Sequence, residues 1–79
     1  MRYLVVIERA KRNYSAYVPD LPGCVATGAT PAAARKAIRA AIEFHIDGLR
    51  EDGLPVPKPS AKGAEVAIGT ARKTGRSAA

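Results

Sequence analysis

The chain has 79 residues, 47% of them hydrophobic, with 13 Lys and Arg against seven Asp and Glu and a formal net charge of +6. That length admits one small domain, a single cysteine excludes an intrachain disulfide, and a single histidine excludes a His/Cys metal cage. A core of this size supplies only about 3–5 kcal/mol of net stability, so self-association is the support that remains.

Only five apolar residues, Tyr3 to Ile7, separate Met1-Arg2 from Glu8. This is too short for a signal-peptide core or a membrane span, so no membrane partner is expected. With one unpaired thiol as well, the reducing cytoplasm is the expected compartment. Tyr3-Leu-Val-Val-Ile7 is apolar on both alternating faces and rich in β-branched residues, which predicts a strand covered on both sides. A single helix covers one face, and the other points to a second copy of the chain.

Arg9 to Asn13 is a charged connection of hairpin length, and Tyr14-Ser-Ala-Tyr-Val18 alternates as a second strand. Tyr14 and Tyr17 fall on opposite faces of that strand, so one belongs to the core and the other is available to an interface. Pro19 ends the strand because it cannot donate to a ladder. Leu21-Pro22-Gly23-Cys24 sets Pro and Gly at the two central positions of a type II turn, and Cys24 to Thr27 reads as a short third strand. Asp20, held between two prolines, either reaches a basic partner or bonds its own backbone, as Asp does in turns.

Thr30 followed by Pro31 opens a helix, the threonine as cap and the proline at the first helical position. Gly53 and Pro55 close it. Between them Ile38, Ile42, Ile46 and Leu49 form one apolar stripe with Ala34 and Ala41, while Arg35, Lys36, Arg39, Glu43, Asp47, Arg50 and Glu51 form a solvated face. At about 1.5 Å per residue the helix overhangs strands of five residues, and Gly48 inside it implies a close backbone approach or a bend. After the Pro55, Pro57, Pro59 run, Glu65 to Ile68 reads as a short last strand. The order β-β-β-α-β makes an α+β domain of residues 1–69, one long helix packed on an antiparallel sheet. Residues 58–79 carry five Lys and Arg against one Asp or Glu, and residues 70–79 read as a disordered basic tail.

Tyr17-Val-Pro-Asp-Leu-Pro-Gly-Cys24, then Gly28-Ala-Thr30, a helix, and Gly53-Leu-Pro-Val-Pro-Lys-Pro59 resemble the HicB antitoxin family in order and spacing over residues 3–59. The resemblance implies an incomplete RNase H-like fold that oligomerises, as a dimer or a tetramer, and neutralises a HicA-type RNA-cleaving toxin by covering its active site. It needs no cofactor and no metal. Tyr14, Tyr17, Pro19, Asp20, Leu21 and Pro22 are the expected partner-binding residues: a rigid turn loses little entropy on docking, with Leu21 as apolar anchor and Asp20 as the charge for a basic surface. Ala32 and Ala33 stand where relatives carry acidic residues after the cap, so the capping box is lost. Relatives often append a DNA-binding segment, for which the residues after Ile68 are too few, so operator binding is not expected.

Two other classes compete. A metal-dependent RNase H-like nuclease needs three or four clustered carboxylates, and only Glu8 and Glu65 fall at predicted strand positions. The basic hairpin Arg9, Lys11 and Arg12 with Arg72, Lys73 and Arg76 suits phosphates, but it lacks interleaved aromatics and would bind nucleic acid weakly and without sequence preference. His45 beside the stripe and Cys24 after the turn glycine read as packing residues.

Overall fold

A computed structural model describes residues 1–70. Among them three strands precede one helix: β1 (Val6–Arg9), β2 (Tyr14–Tyr17), β3 (Val25–Gly28) and α1 (Pro31–Glu51). The reading of residues 70–79 as a disordered tail lies, apart from Thr70, outside the described residues.

The strands form an antiparallel sheet in the order β1-β2-β3. Arg9 opposes Tyr14 and Val6 opposes Tyr17, while Tyr17 opposes Val25 and Tyr14 opposes Gly28. The hairpin between β1 and β2 closes at Ala10, whose amide donates to the Asn13 carbonyl at 2.8 Å. That closure places β1 at residues 6–9 rather than at the expected 3–7. Residues before Val6 run past the end of β2 and have no opposing strand.

Residues directly opposite one another share a face of the sheet. Ile7, Ala16 and Ala26 therefore lie on one face, and Val6, Tyr17 and Val25 on the other. α1 covers the first. Its buried residues Ala34 and Ile38 join Ala16, Val18, Leu21 and Cys24 in the core, with Tyr3, Val5, Tyr14, Ala26, Ala41 and Ile42 packed around them. Small residues allow close packing where β3 meets the helix start. A Cβ on Gly28 would stand 2.6 Å from the Ala33 carbonyl carbon, too close for any side chain.

Both ends of α1 follow their local chemistry. Thr30 is extended, its Oγ1 accepts from the Ala33 amide at 3.0 Å, and Pro31 begins the helix. At the other end Gly53 takes a φ of 68°, the Leu54 amide donates to Leu49 at 2.8 Å and the Gly53 amide to Arg50 at 3.1 Å. This is a Schellman closure, and a residue with Cβ is strained at its left-handed position.

The expected last strand is corrected. Glu65 to Ile68 makes no ladder, and Val66 and Ile68 are 75% and 73% exposed. An alternating segment becomes a strand only where it runs along a sheet edge, and this one pairs with neither β1 nor β3. Here the chain after α1 is instead tied across the sheet end as an irregular strap. Tyr3 donates its hydroxyl to the Pro57 carbonyl, and Gly63 passes the Leu4 side chain. The observed order is thus β-β-β-α. Among the described residues nothing approaches Gly48 closely, since a Cβ there would meet nothing within 4 Å.

Candidate functional site: the proline-flanked turn

The segment joining β2 to β3 is built from two consecutive hydrogen-bonded turns. The Leu21 amide donates to Val18 at 3.0 Å and the Cys24 amide to Leu21 at 3.1 Å, while the Val18 amide donates to Cys24 at 3.3 Å and closes the loop on itself. Pro22 presets the first central position of the second turn, and Gly23 takes a φ of 83° at the next, as a type II turn requires. The backbone is fixed by its own residues, and its side chains divide into inward and outward sets.

Leu21 points inward and is fully buried. The expectation that it would serve as an apolar anchor for a partner is therefore corrected: the doubled turn sends it into the core, where it packs with Ala34 and Ile38 of α1. Cys24 is buried beside it, and loss of water around the thiol raises its pKa. Pro19 and Pro22 are exposed.

Asp20 bonds the segment after α1 and not the backbone of its own turn. Its carboxylate accepts three hydrogen bonds from the strap, from the Ser60 amide at 2.8 Å, the Ser60 hydroxyl at 2.8 Å and the Ala61 amide at 3.0 Å. Those donors, the Ala61 amide foremost, hold its pKa below the ordinary 3.8, because each stabilises the ionised form. Asp20 is a clasp between turn and strap. Ser60 and Ala61 are the functional partners that sequence reasoning missed. A proline run ending in Ser marks an extended segment with available donors, but nothing local says which acceptor it meets.

The two tyrosines separate as alternation demands. Tyr14 is half-buried against the core, with the Arg9 guanidinium 6.0 Å from its ring centroid, within cation–π range. Tyr17 is 38% exposed on the face away from α1, in a row with Val6 and the 66% exposed Val25. Of the six expected partner-binding residues, Tyr17, Pro19 and Pro22 are thus exposed, Tyr14 and Asp20 half-buried and Leu21 buried. Among the described residues no three His, Cys, Asp or Glu side chains converge as metal ligands would. No described helix is long and apolar enough to cross a membrane.

Comparison with known proteins gives one family and a consistent fold. A family model described as a HicB-like antitoxin of bacterial toxin-antitoxin systems matches residues 3–68. The chain is 41% identical over 58 residues to an uncharacterised 14.9 kDa protein of Haemophilus phage HP1, covering 73% of the chain and 44% of the phage protein. It is 41% identical over 49 residues to a UPF0150 protein of Helicobacter pylori, covering 62% of the chain and 68% of that protein. A UPF0150 protein of Thermoplasma acidophilum is 33% identical over 63 residues, covering 78% of the chain and 91% of that protein. The chain thus spans less than half of its phage relative. Among solved structures, a chain of a HicA3 and HicB3 toxin-antitoxin complex superposes with a TM-score of 0.66 at 32% identity, covering 76% of this chain and 70% of that one.

Proposed function

The chain belongs to the HicB-like antitoxin family of bacterial toxin-antitoxin systems, and from that membership we propose that it is a non-catalytic antitoxin that binds and neutralises a HicA-type RNA-cleaving toxin. The observation that carries this reading is the likeness, at 32% identity, to a chain solved within a toxin-antitoxin complex. The toxin docks on the turn face, where Tyr17, Pro19 and Pro22 make contact and Asp20, Leu21 and Tyr14 hold the surface in shape from behind. The row Val6, Tyr17 and Val25 extends the apolar part of that surface. A turn held by its own hydrogen bonds loses little entropy on binding, which supports a tight complex.

The domain keeps the incomplete RNase H-like arrangement of a helix on an antiparallel sheet, and among the described residues no carboxylates cluster as metal-dependent nucleases require. It acts as a homodimer in the cytoplasm. The 82% exposed Phe44, on the helix and away from that row, supports the first point, since it is a large apolar group left in water by a single copy. The unpaired Cys24 supports the second.

The test is inhibition of RNA cleavage by a purified HicA-type toxin encoded beside this chain. Cleavage should stop near one antitoxin per toxin, and Tyr17→Ser should weaken the complex by about tenfold or more, as loss of a central interface aromatic does. Failure to bind at micromolar concentration, or metal-dependent cleavage by the chain itself, would sink the proposal.

A further inference from the structure

β1 is an edge strand: β2 pairs with one side of it, and among the described residues no strand pairs with the other. The run before it, Tyr3 to Val5, has the pattern of a strand but lies beyond the end of β2, whose Tyr17 opposes Val6. Chain suited to a sheet is thus left with an open ladder, which is the template that an added strand uses.

A groove runs along this edge. α1 lies across β2 and β3 and hardly reaches β1, so Ile7 on the helix-facing side of the sheet is left 36% exposed. The N-terminal run forms one wall and α1 the other, and the apolar lining includes Ile7 and Ile42. The charges around it are of one sign, Arg2, Arg35, Lys36 and Arg39 against Glu43 alone. Arg35 and Arg39 are exposed and stand one helical turn apart, and the first turn of α1 holds no acidic residue. Like charges at that spacing, near a helix N-terminus, destabilise the helix, and carboxylates placed beside them offset both effects.

The sign selects the occupant. The chain's own last residues, with Arg72, Lys73 and Arg76, are basic and do not suit this groove; nor does the basic surface expected of an RNA-binding toxin. Nucleic acid has the right sign but uses neither the open ladder nor the apolar lining. The one aromatic in the lining, Tyr3, is packed against the core rather than presented for base stacking.

We propose that β1 accepts an extended acidic segment of a further protein as a fourth strand, its alternate carboxylates turned to Arg35 and Arg39. The glutamate methylenes then cover Ile7, and the intervening apolar side chains continue the row Val6, Tyr17 and Val25 on the other face. This site lies on the opposite edge of the sheet from β3 and does not depend on the toxin reading.

The experiment is fluorescence anisotropy of end-capped, labelled peptides of about ten residues, long enough to span Tyr3 to Arg9, titrated with the full chain. A peptide alternating Glu and Val should bind. The same composition in Glu-Glu-Val-Val order should bind about tenfold more weakly, because it breaks the two-residue period of a strand. N-methylation of every peptide amide should abolish binding, since it removes the ladder donors and keeps the charges. Arg35→Glu combined with Arg39→Glu should weaken binding by about tenfold or more while the helical circular-dichroism signal and inhibition of the toxin persist. Amide-exchange protection should rise between Tyr3 and Arg9 on binding and stay constant from Leu21 to Cys24. Absence of binding, equal binding of the reordered or N-methylated peptides, or indifference to the double variant would overturn the proposal. A ten-nucleotide oligouridine that binds more tightly than the alternating peptide and is lost in the double variant would assign the groove to nucleic acid instead.

Discussion

Replacing Leu21 with alanine tests the inward orientation of the proline-flanked turn. Leu21 is 0% exposed and packs with Ala16, Val18, Cys24, Ala34 and Ile38. The substitution removes three carbons from that cluster, a transfer cost of about 2.4 kcal/mol at about 0.8 kcal/mol per methylene. The surroundings collapse only partly, and each Å³ of remaining cavity adds about 24 cal/mol, so the total falls in the range of about 2.7–5 kcal/mol found for enclosed leucines. A core of this size supplies only about 3–5 kcal/mol of net stability. The loss is therefore a large share of the whole, and should lower the melting temperature by roughly 10–40 °C. Thermal melts followed by far-UV circular dichroism measure it, at fixed protein concentration because association also shifts the midpoint. Pro22→Ala is the matched control: exposed on the same turn, it should move the melt by only a few degrees and act mainly on toxin affinity. A Leu21→Ala protein that melts normally yet binds toxin poorly would show that Leu21 faces outward and that the core is packed otherwise.

Gly28→Ala should cost about 1–3 kcal/mol, read as a lower urea midpoint, because the added Cβ meets the backbone of Ala33 and Ala34 rather than a side chain that can turn aside. Asp20→Ala should release the strap without unfolding the domain, seen as faster proteolytic cleavage after Pro55 with the helical signal retained. The same clasp should respond to acid. The folded pKa of Asp20 is depressed, so its contribution is complete above the ordinary value near 3.8 and is lost as pH falls through the lower folded value. Amide-exchange protection at Ser60 and Ala61 should therefore hold at neutral pH and fail in that acid range. Protection that survives into strong acid, or that is unchanged in Asp20→Ala, would contradict the clasp.

How far the chain could be read before folding depends on the sequence distance of each interaction. Thr30 and Pro31 start α1, Gly53 and Leu54 stop it, and Pro22-Gly23 sets the type II turn through hydrogen bonds spanning three to five residues. Such contacts form between neighbours in sequence, so residue types at fixed spacing suffice to specify them. The same holds for the Ile38, Ile42 and Ile46 stripe, whose period is that of the helix itself. The motif from Tyr17 to Cys24 pointed to the family for a related reason, since a rigid local turn leaves a recognisable string of residues.

The tertiary structure decided everything that required a distant partner. Alternation put Tyr14 and Tyr17 on opposite faces, but only the packing of α1 made Tyr14 the inner one. Asp20 met Ser60 and Ala61 across 40 and 41 residues of chain, a pairing no local pattern encodes. Leu21 went inward because the doubled turn rotates it beneath the helix, where a linear reading had given it to a partner. Glu65 to Ile68 has the alternation of a strand and forms none, because a ladder needs a course along a sheet edge as well as a suitable sequence. The hairpin closure at Ala10 and Asn13 moved β1 along the chain for the same reason: strand ends are set where two segments cease to overlap, and overlap is a property of the pair.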